Sequence, residues 1–315
     1  MPDYVALGDS YAAGAGAGQP MNACFRSVAG YPVQIARALE TDVSLQACRG
    51  ATVADVAAVQ LDALSESTRL VTLTVGGNDL NFTDVLTECA KPTWMTHSAE
   101  AVEAALEFVR HELGERLTGL YAMVRERAPQ ASFVVTGYPR LFAGKDCNLA
   151  TFFNDADMAR MNDIADELAA VIEAAAAPAG AMFVDVRPTF DGHAACEDDE
   201  WIRGMSRPLE VSYHPNTAGH SAYAVQIADA LGFPYGDIVT AARVPVVVQG
   251  PPSGSDEAVF APPQLLSDES MAGARHYGLD PDEVAELARR NEAEADQAAY
   301  ERLWELDKAA RQNVG

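Results

Sequence analysis

The sequence predicts an α/β protein in three layers, with a five-stranded parallel sheet held between helices. Three observations carry this. Five short apolar runs read as buried strands: Tyr4–Leu7, Val43–Ala47, Leu70–Val75, Ser132–Thr136 and Met182–Val186. Helix-like stretches alternate with them, which argues for a parallel sheet covered on both faces. Each run ends near a glycine, proline or polar cluster, where a chain leaving a sheet turns.

The helices follow in order. Pro32–Glu40 and Ala51–Gln60 carry apolar residues at helical spacing. Ala99–Arg127 and Asn154–Ala177 are long and rich in Ala, Leu and Glu, and Thr217–Leu231 closes the series. Right-handed crossovers make a doubly wound, flavodoxin-like sheet the expected arrangement. This domain is expected over residues 1–234. Composition changes after Pro234, and "QGPPSGSDE" suggests a Pro/Gly-rich linker over 235–265. Residues 266–315 read as an acidic helical extension, with Asp280 as N-cap and Pro281 in the first turn of one helix. Its apolar stripe is thin (Val284, Leu287, Leu303, Leu306), so loose attachment is expected.

Composition narrows the function. Hydrophobic residues make up 49% of the 315, enough for a full core. The net charge of -24 repels phosphate backbones and anionic headgroups, which argues against nucleic-acid binding. No stretch approaches the roughly 20 apolar residues of a membrane span, so stable membrane insertion is not expected. Five cysteines, at 24, 48, 89, 147 and 196, show no zinc-type spacing. No metal and no cofactor are expected, and the protein is expected to be a monomer.

The loop after the first strand, "LGDSYAAGAGAG", occupies the carboxyl edge where ligands bind in such sheets. It is no P-loop, since Gln19 and Pro20 follow Gly18, and its alternating glycines do not match a dinucleotide fingerprint. Those glycines read as a flexible surface loop. Ser10 stands where the strand ends, either as a helix cap or as a nucleophile backed by free N–H groups. "VTLTVGGNDL" brings Asn78 to the same edge, as a turn residue or an amide donor. In "SYHPNTAGH", Pro215 keeps His214 out of helical geometry and Asn216 can cap the last helix. His214 is thus either a capping-loop residue or a base returned to that edge.

Taken together, "YVALGDSYAAG", "ACRGATVADV", "TLTVGGND" and "YHPNTAGHSAYA" resemble the four signature blocks of the SGNH (GDSL) hydrolases. The likeness spans about Asp3 to Phe233 and is nearest to the small secreted actinobacterial lipases and esterases. The resemblance implies the SGNH hydrolase fold and a serine ester hydrolase working through an acyl-enzyme. Its substrate would be a small-molecule or lipid ester. Ser10 falls on the nucleophile, His214 on the general base, and Ser10, Gly50 and Asn78 on the oxyanion hole. Many relatives carry an aspartate three residues before the histidine; here Val211 stands there. Glu210 is the nearest carboxylate, and some relatives use a backbone carbonyl, so the carbonyl of Val211 or Ser212 is expected to hold the ring. Asp9 and Asp79 are expected to be structural, and His220 a packing residue.

The same resemblance implies disulfides Cys24–Cys48 and Cys147–Cys196, with Cys89 free. Disulfides imply an exported protein whose signal has been removed. The loops 22–29, 86–98 and 141–153 hold Phe25, Trp94, Phe142, Phe152 and Phe153, which either line an acyl site or belong to the core. A carbohydrate O-acetylesterase of the same family, or a non-catalytic ligand-binding protein, is the alternative.

Overall fold

All five apolar runs form strands in the computed structural model, which describes residues 3–233, 245–254 and 258–312. They are β1 (Tyr4–Gly8), β2 (Val43–Leu45), β3 (Leu70–Thr74), β4 (Ser132–Thr136) and β5 (Met182–Val184). Every residue of β1 and β3 is buried, as expected of strands covered on both faces. A sixth strand, β6 (Val247–Gln249), joins the edge and gives the parallel order β5-β4-β3-β1-β2-β6. It pairs with β2 from Val43↔Val247 to Leu45↔Gln249.

The chain order reverses between β1 and β3. Loops leaving these neighbours diverge there, one toward each side of the sheet, and open the crevice typical of doubly wound folds. The short helix α1 (Ser10–Ala13) follows β1, and α2 (Tyr31–Ala38) leads to β2. Helix α3 (Val53–Val59) begins with a capping box, in which Thr52 and Asp55 each satisfy the other's backbone N–H. Between β3 and β4 lie α4 (Phe82–Cys89), α5 (Ser98–Phe108) and α6 (Gly114–Arg127), with a π-turn at Val109–Leu113 joining the last two. Helix α7 (Asp155–Ala176), capped by Asn154, connects β4 to β5. Helix α8 (Thr217–Leu231) is capped by Asn216, packs on α2 and ends at Gly232, which takes the left-handed conformation. Helices α3, α6 and α7 pack together in the opposite layer.

The C-terminal quarter departs from the sequence reading. Part of the stretch read as a linker is β6, and the rest of its described residues lie against the domain; residues 235–244 and 255–257 lie outside the described residues. The extension folds as α9 (Asp268–His276), α10 (Pro281–Glu294) and α11 (Gln297–Gln312). Its thin stripe is not solvated: Val284, Leu287, Leu303 and Leu306 are buried in a second core with Trp94, Met95 and Phe152. Polar ties fix the seam, among them Tyr300 Oη to Thr151 O (2.6 Å), Trp94 Nε1 to Ser270 Oγ (3.1 Å) and Asn291 Nδ2 to Leu149 O (2.6 Å). The stripe looked too narrow because its partner surface comes from loops more than 130 residues earlier. Asp280 caps α10 as the sequence suggested.

Candidate active site

Ser10, Asn78 and His214 reach the cleft from three separate segments. Ser10 is the first residue of α1, just beyond β1. Asp9 caps that turn through a hydrogen bond from Tyr11 N (2.9 Å), and its other oxygen accepts from the Tyr138 hydroxyl. Asp9 is therefore structural, holding the serine's turn. Gly8 sits at φ 128°, and a Cβ there would lie 2.1 Å from the Thr74 carbonyl oxygen. Only glycine allows that approach between the ends of β1 and β3.

His214 comes in on the loop before α8. Its Nε2 is 2.8 Å from Ser10 Oγ, and its Nδ1 is 3.0 Å from the carbonyl oxygen of Ser212. The carbonyl can only accept, so Nδ1 carries the proton and Nε2 is left to accept from the serine hydroxyl. Of the two expected carbonyls it is Ser212 that holds the ring; the Val211 carbonyl accepts from His214 N instead (3.4 Å). Burial pushes the imidazole down to about 4 from 6.5; the Ser212 bond opposes this, and the charge of Arg49 adds to it.

The glycine loop proves to be a packing device rather than a mobile surface loop. Ala13, Ala15 and Ala17 are buried. Gly16 has φ 86°, and a Cβ there would meet the Pro215 carbonyl oxygen at 2.4 Å and His214 Cβ at 3.1 Å. Arg203 Nε donates to Gly16 O (2.7 Å). His220, fully buried on α8, joins the same loop: its Nε2 bonds Ala15 O (3.1 Å) and its Nδ1 accepts from Tyr31 N (3.4 Å). The loop that presents Ser10 and the loop that presents His214 are thus fastened to each other.

On the other side, Gly50 lies in a turn at φ 77°. Cys48 N donates to Gly8 O (3.0 Å), and the Cys24–Cys48 disulfide anchors the turn one residue before Arg49. Asn78 lines the cleft and gives one amide hydrogen to Ala51 O (3.0 Å). That bond orients the amide and leaves its second N–H for a ligand. Asp79 accepts from Val53 N (3.0 Å), joining this turn to the start of α3, and burial raises its carboxyl to about 6. The second disulfide, Cys147–Cys196, joins the loops beyond β4 and β5; Cys89 is free and buried.

The cleft is mostly apolar beyond Ser10 and His214. Phe82 and Leu86 of α4, Ile164 and Leu168 of α7, and Leu141, Leu209 and Phe260 line it. Arg49 and Glu210 supply charge at its wall. The aromatics singled out in the loops are not among its lining residues: Trp94, Phe142, Phe152 and Phe153 are core, and Phe25 lies under the Arg49 guanidinium. The sequence reading missed Arg49, Tyr138 and Phe260. Arg49 and Tyr138 lie one and two residues beyond recognised features, but Phe260 lies in a four-residue apolar run inside a stretch read as a linker.

The model of the GDSL-like Lipase/Acylhydrolase family matches residues 6–222, more than half of the chain. The chain belongs to the GDSL-like lipase/acylhydrolase family. Membership makes it a carboxylic ester hydrolase of the lipase and esterase class. It is 38% identical over 224 residues to a lipase of Streptomyces rimosus, covering 70% of this chain and 82% of the relative. Among solved structures it is similar to a phospholipase A1 from Streptomyces albidoflavus NA297 (36% identity, TM-score 0.67, 72% of this chain and 98% of that one). The extracellular lipase of Streptomyces rimosus is equally similar (37% identity, TM-score 0.67, the same coverage). The family match ends before β6 and the extension.

Proposed function

We propose that the protein hydrolyses acyl esters with Ser10 as nucleophile and His214 as general base, the ring being held by a backbone carbonyl in place of an acid. The observation that carries this is the line from Ser10 Oγ through the imidazole to Ser212 O, at 2.8 and 3.0 Å, opening into an apolar cleft. Ser10 attacks the ester carbonyl while Nε2 takes its proton, and His214 returns that proton to the departing alcohol. Water then repeats the sequence on the acyl-enzyme. Negative charge develops on the former carbonyl oxygen, and the Ser10 and Gly50 N–H groups with the Asn78 amide are assigned to receive it.

The apolar lining supports a substrate with a hydrocarbon acyl group, a lipid ester among them, over an acetylated sugar. Two disulfides and the extracellular source of one relative support secretion of this protein. Hydrolysis of a chromogenic ester series from acetyl to palmitoyl, by wild type and Ser10→Ala, tests the reading. Turnover by wild type alone is expected. Equal turnover by both would remove Ser10 from the chemistry.

A further inference from the structure

The C-terminal segment that the family match leaves out runs along the rim of the site. After β6 the chain is held tightly. The buried Arg26 side chain donates to Ala47 O and Gln46 O (both 2.7 Å), and also to the carbonyls of Gly250 and Pro251. Gln60, whose amide group bonds both Gly8 N and Gly8 O, donates to Ser253 Oγ at 2.8 Å. A Cβ on Gly250 would meet Gln46 Oε1 at 1.8 Å, and one on Gly254 would meet the Arg49 carbonyl oxygen at the same distance. This strap therefore lies directly against the turn that carries Gly50.

Residues 258–260 lie in the cleft. Ala258, Val259 and Phe260 all line it. Phe260 is 3% exposed and packs edge-on to Tyr213, the neighbour of His214, at 5.0 Å between ring centres. Ala261 N reaches Thr87 Oγ1 on α4 (3.4 Å). The strap thus spans from the histidine loop to α4, across the apolar part of the cleft. Val259 keeps 37% of its surface exposed.

We infer that Val259 and Phe260 form the wall against which the acyl chain of the substrate lies, so that this added segment sets the acyl preference. The inference rests on the assignment of Ser10 and His214 to ester hydrolysis. An acetyl group fills only the space beside Ser10, whereas a longer chain must run along the cleft and bury methylenes on this wall.

The test compares the full-length protein with Phe260→Ala and Val259→Glu on the same ester series. The quantity read is the ratio of kcat/KM for the longest acyl ester that wild type accepts to that for acetyl. Loss of one good apolar contact changes such discrimination by about tenfold or more. A fall of about tenfold in either variant is expected, larger for Val259→Glu, because a carboxylate then faces the chain. Should Phe260→Ala fail to fold, shown by a lowered melting temperature with loss of all esters, Val259→Glu decides, since its side chain is partly exposed. A ratio within twofold of wild type, or a uniform loss on all esters in Val259→Glu, would overturn the inference. So would a wild type that accepts acetyl alone, which would leave the role of Ser10 intact. Activity unaffected by Ser10→Ala would instead strike the underlying reading.

Discussion

His214 takes its orientation from Ser212, two residues earlier in its own chain, through a 3.0 Å contact between Nδ1 and a carbonyl oxygen. A carbonyl fixes the tautomer as firmly as a carboxylate does, but it brings no full charge to stabilise an imidazolium. The geometry is local, so no other element has to deliver an acid to the site.

Glu210 should therefore be dispensable as a ring partner. Glu210→Gln is expected to lose less than about tenfold in kcat, against about 10⁴ when a true triad acid is neutralised. Steady-state kinetics on a soluble ester checks this, with Ser10→Ala measured alongside as the variant lacking the proposed nucleophile.

In the proposed mechanism His214 accepts a proton only when its ring is neutral. Burial holds the His214 imidazole at about 4, so kcat/KM should fall as pH drops through about 4 and stay flat through 6.5. A pH profile with its acid limb near 6.5 would contradict the buried environment.

Asn78 should act on the transition state more than on binding. Asn78→Ala is expected to lower kcat by about 10²–10³ with little change in KM. Kinetics on the best chromogenic ester separates the two effects.

His220 should tie stability to pH. Its folded value, lowered by burial to about 4, lies below its ordinary 6.5, so the unfolded chain takes up a proton between these limits while the folded one does not. This contribution is present above about 6.5 and is lost as pH falls toward 4. In His220→Asn the drop in stability between pH 7 and 4.5 should be smaller than in wild type, by urea unfolding at the two pH values.

Gly16 should be intolerant of any side chain. Gly16→Ala places a methyl 2.4 Å from the Pro215 carbonyl oxygen at a positive φ. A cost of about 1–3 kcal/mol is expected from the strained backbone. Because the push falls on the His214 loop, kcat should drop as well. Thermal melting and kinetics on one preparation give both.

The legible parts of the sequence were those with local causes. β1 to β5 are apolar runs with turn residues behind them. Ser10, Asn78 and His214 each follow an element end, so their meeting at one edge could be expected from the winding of the sheet. The hidden parts depend on distant chain. Gly16 looks like any loop glycine until Pro215 is placed against it. β6 is three residues in a Pro/Gly-rich stretch, and its partner β2 lies about 200 residues away. Phe260 sits in the apolar run Ala258–Ala261, which is set between polar and proline-rich residues and is too short to show a period. The stripe of α10 and α11 reads as thin because Trp94 and Phe152 complete its core from another part of the chain.

The sixth strand has a consequence for how copies of the protein treat one another. An open sheet offers its unpaired edge as a template for strands from other molecules, a route to aggregation. β2 would be such a template, and β6 covers it. β6 itself spans three residues and begins two residues after Pro245, so it offers little to continue. At the far margin β5 is as short, and the Asp185–Arg187 ion pair (2.8 Å) sits just beyond it. Among the described residues both margins are short and interrupted, so each offers little backbone for a strand of another copy to extend.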